Sequence, residues 1–294
     1  MAARQRVLSA SGATAMRISV VGGRGFIGEA VVQALRAGVG AGVGPEILLP
    51  DRAALAAGAP LGGWGMMVWA AGLTADFRQR PFDTVAAHVG DLSRVISRGG
   101  VEGILYFSST RVYMRAAAAN EAEALPTLPM DPSDLYNLTK LAGEALCLSA
   151  GLARVKIARL SNIIGPREAT RRTFLGSLCR EALAGRIVLQ SAPHSVKDYL
   201  WIDDAAAILA QMATDDSEGI FNVASGRQIA HLTWAQALSH QTKAALEIPD
   251  LLPETSFAPI DITRMAARYG PARHDPLNYL SPMLSVGQPA SHKG

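Results

Sequence analysis

Between Met16 and Gly165 the chain alternates short runs rich in β-branched and aromatic residues with longer stretches of helical apolar periodicity. That alternation leaves few folds open. Strands linked by helices lie parallel, because each crossover must climb back over the sheet before the next strand can start in the same direction. "RISVV" predicts the first strand and "GEAVVQALRAG" a helix closed by Gly38. "EILLPD" and "GMMVWAAG" predict two further strands, and "FDTVAAHVGDLSRVISRGG" a helix ended by glycines. "GILYFSST" predicts a buried strand, "LYNLTKLAGEALCLSA" an amphipathic helix, and "VKIARLSNIIGP" another strand running into a loop stopped by Pro166.

Beyond that point the pattern loosens. "RTFLGSLCREALAG" predicts a helix and "IVLQ" a short strand. "DYLWIDDAAAILAQMA" predicts a strand and then a helix capped by Asp203 or Asp204, and "GIFNVAS" a last strand. The rest, with Pro253, Pro259, Pro271 and Pro276, predicts short helices and loops. The expected division is a loose tail over 1–15, a first domain over 16–165 and a smaller lobe over most of 166–280. Segments around 196–224 return to the first domain, and 281–294 is a second tail.

Hydrophobic residues make up 49% and charged residues 18%, which suits a large core and excludes disorder. The net charge of +3, from 28 basic and 25 acidic side chains, is no nucleic-acid footprint. No apolar run is long enough to span a membrane, and "MAARQRVLSASGATA" lacks the apolar middle of a signal peptide. Cys147 and Cys179 can build no disulfide framework and have no metal-ligand spacing, so a cytoplasmic protein without a metal site is expected.

The glycines of "SVVGGRGFIGEAVVQAL" fall where the first strand meets the first helix. A nucleotide-binding turn needs one glycine to leave the strand sharply, one to admit a phosphate to the backbone, and one to let the helix pack closely. Gly22, Gly25 and Gly28 have that placement, although a plain tight turn would use glycines too. Asp51, at the end of the second strand, would favour NAD, and the adjoining Arg52 could hold the extra phosphate of NADP. Tyr136 and Lys140 lie four apart on one helix face, where an ammonium would stabilise a phenolate and lower the tyrosine pKa toward neutrality. Ser109 lies at the C-terminal end of a buried strand, where open α/β sheets bind ligands.

These motifs occur together and in order, and the chain from about 16 to 280 resembles the extended short-chain dehydrogenase/reductases, the NAD-dependent epimerase/dehydratases of sugar nucleotides. "GGRGFIG" resembles the family's GGxGFIG loop, "WAAG" its H-x-A-A segment, "FSSTRVY" its S-S-x-x-V-Y-G and "YNLTK" its Y-x-x-x-K. "RLSNIIGPR", "KDYLWIDD" and "FNVASG" resemble R-x-x-N-x-x-G-P, R-D-Y-x-x-V-x-D and Y-N-x-x-x-G.

The resemblance implies an α/β fold: a Rossmann-type doubly wound parallel sheet with a smaller C-terminal substrate lobe. NAD or NADP would lie against Gly22, Gly25, Phe26, Ile27, Gly28, Asp51, Arg52, Ala70 and Ala71, with Tyr136 and Lys140 at its reactive end. Tyr136 would be the acid/base, Lys140 would hold the ribose, and Ser109 would face the substrate oxygen, with Thr110 as its alternate. Thr110, Asn162 and Lys197 would contact a nucleotide sugar, while Asp198 and Asp204 would hold loops and cap helices. A homodimer through 82–98 and 135–150 is implied by analogy alone.

Three departures shape the expectation. The stretch between Asp51 and "MMVWAAG" is too short for the usual helix and third strand, Met114 replaces a glycine, and a histidine at 88 stands near a frequent asparagine. That histidine reads as a half-buried surface residue. Thr110 and Arg111 stand where 4,6-dehydratases carry an Asp-Glu pair, so elimination is disfavoured. The implied reaction is hydride transfer at one carbon of a nucleotide-activated sugar, C4, by an epimerase or a ketoreductase. The alternatives are a reductase of non-sugar carbonyls and a non-catalytic cofactor-binding relative.

Overall fold

A computed structural model describes residues 16–38, 44–73, 76–254 and 257–285. The expected tail over 1–15, and residues 286–294 of the one expected over 281–294, lie outside the described residues. The chain starts with β1 (Arg17–Val21), α1 (Phe26–Ala37), β2 (Glu46–Leu48), α2 (Arg52–Ala57) and β3 (Gly65–Trp69). One long helical stretch follows: α3 (Pro81–Val85), a π-helical segment over Ala86–Gly90 and α4 (Asp91–Ser97). Then come β4 (Val101–Ser109), α5 (Asp134–Ser149), β5 (Arg154–Leu160) and β6 (Asn162–Ile164). The second part adds α6 (Phe174–Leu183), β7 (Arg186–Val188), β8 (Val196–Trp201), α7 (Ile202–Thr214) and β9 (Gly219–Val223). It closes with β10 (Gln228–Ala230), α8 (His231–Thr242), β11 (Ala245–Glu247), α9 (Thr263–Tyr269) and α10 (Leu280–Leu284).

The main sheet has the order β2-β1-β3-β4-β5-β9 and every pairing in it is parallel. Its order reverses at β1, which has β2 on one side and β3 on the other, so a crevice opens beyond the C-terminal ends of β1 and β3. Two apolar clusters cover the sheet's two faces. One joins Ile18, Val31, Leu105 and Leu209, and the other joins Trp69, Met67, Leu92 and Cys147. Helices α1 and α7 pack against one another, and α5 packs on β4. Both cysteines are buried, with thiols that burial pushes up to about 12. No helix among the described residues is long and apolar enough to cross a membrane.

Between β2 and β3 stands only the six-residue α2, so the expected shortening is a missing strand, and β2 forms the sheet's edge. The strand and following loop expected over "VKIARLSNIIGP" are two strands divided at Ser161. The first stays in the main sheet, and the second joins β8 and β10 in a smaller three-stranded sheet. The same small sheet takes β8, while β9 completes the main sheet.

Four expectations are corrected. Neither Asp203 nor Asp204 caps α7: Trp201 holds the cap position and both acids fall in the first turn, where a carboxylate complements the helix dipole. Where short helices and loops are expected, α8 reaches 12 residues, because Trp234, Ala235 and Leu238 bury one narrow stripe of it. Residues 281–284 of the expected tail belong instead to α10, with Met283 buried. His88 is fully buried, not half-exposed: it stands on the π-helical segment and its Nδ1 meets Thr139 Oγ1 at 2.8 Å.

Candidate active site

The loop from β1 to α1 is closed by glycines that tolerate no side chain. Gly22 has φ +82°, and a Cβ there would fall 2.9 Å from the backbone of Ala70 and Ala71. A Cβ on Gly28 would lie 2.2 Å from the Gly22 carbonyl oxygen. Gly25 differs. It sits at φ −84° as the cap residue of α1, offers no side-chain cap, and its N–H donates to the Gly22 carbonyl at 2.9 Å. The first turn of a 12-residue helix therefore presents backbone donors with no side chain in front of them. A plain turn requires Gly22 and Gly28. The bare start of α1 is what a phosphate needs in addition, so the loop fits the pyrophosphate of a dinucleotide.

Two clefts meet at this loop and share Gly22 and Ala71. The larger, of ≈ 520 Å³, is lined by Gly25, Phe26, Ile27, Gly28 and Ala70 on one side and by Ser109, Thr110, Tyr136 and Lys140 on the other. The smaller, of ≈ 260 Å³, is lined by Leu49, Pro50, Asp51 and Arg52, and it would take the adenosine half. Asp51 has a structural task there as well, since its carboxylate caps α2 by accepting from the Ala54 N–H at 2.8 Å. Arg52 is exposed beside it.

Tyr136 and Lys140 face the same cleft, as their spacing predicts. The electrostatics differ from expectation. Burial pushes the Tyr136 phenol above its ordinary value, and the hydrogen bond with Ser109 and the charge of Arg111 pull it back only in part. Burial also pushes the Lys140 ammonium down to about 7, against the attraction of Glu144. Its Nζ donates to the Phe107 carbonyl at 2.8 Å and stands 5.9 Å from the Tyr136 ring centre. The expected depression of the tyrosine is therefore corrected, because desolvation outweighs the nearby cations.

Several sequence motifs meet in one buried network behind this wall. Ser108 donates to Glu144, whose carboxylate also accepts from Arg159 Nη2 at 2.7 Å. Arg159 Nη1 donates to the Tyr113 hydroxyl at 2.8 Å, and that hydroxyl donates to Asn222 at 2.8 Å. The network stitches β4, α5, β5 and β9 at the level of Ser109. Met114, where the resembling family carries glycine, is helical at φ −54°, so the position needs no glycine.

Across the cleft, Thr110 donates to the Leu160 carbonyl at 3.3 Å. Asn162 donates to the Asp198 carbonyl at 2.7 Å, and Lys197 stands 5.3 Å over the Phe174 ring. Asp198 accepts from Ser225 and the Arg227 N–H, which holds a loop. Asp204 does likewise, accepting from the N–H groups of Arg273 and His274 at 2.9 Å each. Sequence reasoning gave no role to several cleft residues, among them Phe77, Arg78 and Arg171, the last stacked 3.8 Å over Phe26. Arg171 stands next to Arg172 in the sequence, but nothing in its spacing ties it to Phe26.

Residues 70–224, just over half of the chain, match the model of the NAD dependent epimerase/dehydratase family, and the chain belongs to that family. A curated relative is the GDP-6-deoxy-D-mannose reductase of Pseudomonas aeruginosa, 30% identical over 170 residues, 53% of this chain and 54% of that protein. Another is the dTDP-L-rhamnose 4-epimerase of Burkholderia thailandensis, 28% identical over 117 residues, 37% of this chain and 32% of that protein. The chain thus spans about half the length of the first and a third of the second. Among solved structures, the UDP-glucose 4-epimerase of Thermus thermophilus in complex with NAD superposes with a TM-score of 0.71 at 19% identity, covering 92% of this chain and 98% of that one. At that identity the likeness is one of fold.

Proposed function

We propose that the chain is an NAD(P)-dependent enzyme acting at one carbon, C4, of a nucleotide-activated sugar, as an epimerase or a ketoreductase. One observation carries this reading: Ser109, Tyr136 and Lys140 line the same cleft as the bare glycine-loop start of α1. The names of its relatives, one a reductase and one a 4-epimerase of nucleotide sugars, agree with it. Thr110 and Arg111 speak against elimination, which needs an acidic pair there.

When bound, the dinucleotide supplies the hydride donor or acceptor for the sugar carbon. The chain supplies the rest. Gly22, Gly25 and Gly28, with the N-terminal end of α1, hold the pyrophosphate, and Asp51 and Arg52 flank the adenosine half. Tyr136 holds the proton exchanged with the sugar oxygen, and Ser109, which lines the same cleft, offers its hydroxyl to orient that oxygen. A phenol whose pKa lies above its ordinary value rests protonated, so Tyr136 stands ready as a donor, the role a ketoreductase requires. Lys140, tied to the Phe107 carbonyl, fixes the strand end beneath both groups. Asn162 and Lys197 bind the diphosphate of the sugar nucleotide from the small sheet.

The test is stoichiometry. A panel of UDP-, dTDP-, GDP- and CDP-linked sugars and 4-keto-sugars is incubated with NAD(P)H or NAD(P). Consumption of one equivalent of NAD(P)H per product identifies a reductase, and interconversion of C4 epimers without net consumption identifies an epimerase. Turnover of simple aldehydes with no effect of any nucleotide would overturn the reading.

A further inference from the structure

Arg111 follows Ser109 by two residues, and its guanidinium stands 6.0 Å from the Tyr136 ring centre and 5.6 Å from that of Phe77. Arg78 covers the same Phe77 ring at 4.6 Å. Ser133 ties the two together: Arg78 Nη2 donates to its hydroxyl at 2.7 Å, and Arg111 Nη2 donates to its carbonyl at 3.3 Å. Two guanidinium groups are thus held beside one aromatic ring on the cleft wall next to Tyr136.

Among the described residues, acids offset these two cations only in part. The nearest acids, Asp131 and Asp134, are taken by Arg115 at 2.5 and 2.8 Å. The Nε of Arg111 is buried with no hydrogen-bond partner. Burial and the charge of Arg78 both lower the Arg111 pKa, so the protein holds this cation at a cost. Lys197, on the other side of the cleft, is disfavoured by burial and by Arg111 in turn. A row of cations this poorly matched is complementary to an anion that enters the cleft.

We infer that the sugar accepted here bears a carboxylate on the carbon next to the reacting one, and that Arg78 and Arg111 receive it. The inference rests on the proposed function above. A carboxylate is planar and accepts from paired guanidinium donors, and it offsets the repulsion between the two arginines. A neutral hydroxymethyl group offsets none of it. The diphosphate has its own partners, Asn162 and Lys197 on β6 and β8, whereas Arg78 and Arg111 follow β3 and β4. A uronic acid linked to a nucleoside diphosphate meets both demands.

The test uses titration calorimetry on the full chain. UDP, dTDP, GDP and CDP are ranked first; then the glucose and glucuronate esters of the best diphosphate are compared. The glucuronate ester is expected to bind about 10-fold or more tightly than the glucose ester, the effect of one charge-assisted hydrogen bond. Arg78→Gln, an exposed side chain whose loss leaves the fold intact, should reduce that ratio several-fold, and Arg111→Gln should abolish it. Equal affinity for both esters in the unaltered protein overturns the inference while leaving the proposed function standing. An equal loss of bare diphosphate and of glucuronate ester in Arg111→Gln assigns the pair to the diphosphate and overturns it too. If no diphosphate and no ester binds, the proposed function fails and takes the inference with it.

Discussion

Lys140 Nζ donates to the Phe107 carbonyl at 2.8 Å, which ties the lysine to the strand that carries Ser109 two residues later. The bond is made in a setting that disfavours charge, and the stability of the protein should show it. The unfolded chain keeps this proton up to about 10.5, whereas burial lets the folded chain release it at about 7. Between those values the unfolded chain binds more protons, so stability rises with pH across the window. Below about pH 7 the cost of the buried ammonium is fully present. Urea unfolding at a series of pH values from 6 to 10 should show that rise, and Lys140→Met should flatten it. An unchanged slope in the variant would remove Lys140 as its source.

Tyr136→Phe deletes one hydroxyl and leaves the ring contacts with Phe77 and His88 in place. Turnover should fall by about 10²–10⁴-fold, the usual contribution of a positioned acid/base. Nucleotide affinity should change little, since the ring still fills the wall. Steady-state kinetics beside a nucleotide titration check this, and near-normal rates would displace Tyr136 from the mechanism.

The glycines of the first loop should separate by function. Gly25→Val adds a Cβ 3.2 Å from the Gly22 carbonyl oxygen at an ordinary φ, so the fold should survive while affinity for NAD(P) drops. Gly28→Val drives its Cβ to 2.2 Å from that same oxygen and must move α1 away from the sheet. Thermal melts and nicotinamide titration measured on both variants distinguish the two. Equal loss of stability would show that Gly25 serves the turn alone.

Arg159→Leu removes one side of a buried pair and strands Glu144, which is about 3% exposed. Breaking such a pair on one side costs roughly 3–5 kcal/mol. A loss below about 1 kcal/mol in denaturant unfolding would show that water reaches Glu144 and that the network holds less than its geometry implies.

Much of this was legible in the residues themselves. Periodicity placed β1, α1, β4 and α5, because each buries one continuous stripe or run. The glycine triad and the four-residue spacing of Tyr136 and Lys140 mark groups that the fold brings to one cleft. The environment of those groups was not legible. Spacing says that Lys140 is near Tyr136 but not that both are desolvated, which reverses the direction in which the phenol moves. The division of "VKIARLSNIIGP" at Ser161 depends on which strands arrive later to pair with each half. The helix cap at Trp201 hides because its backbone, and no side chain, takes the cap position. Arg78 and Arg111 are 33 positions apart in the chain and meet at Ser133 and the Phe77 ring.

The missing third strand leaves the outer flank of the sheet to a three-residue β2, with Asp51 and Arg52 on the rim just beyond it. Both side chains are solvent-exposed and sit outside the apolar clusters that hold the molecule together. Under the proposed function, discrimination between the two forms of a dinucleotide would fall to a border that the core does not police. Exchanging one preference for the other there is a matter of surface chemistry, open to drift or to engineering without repacking the interior.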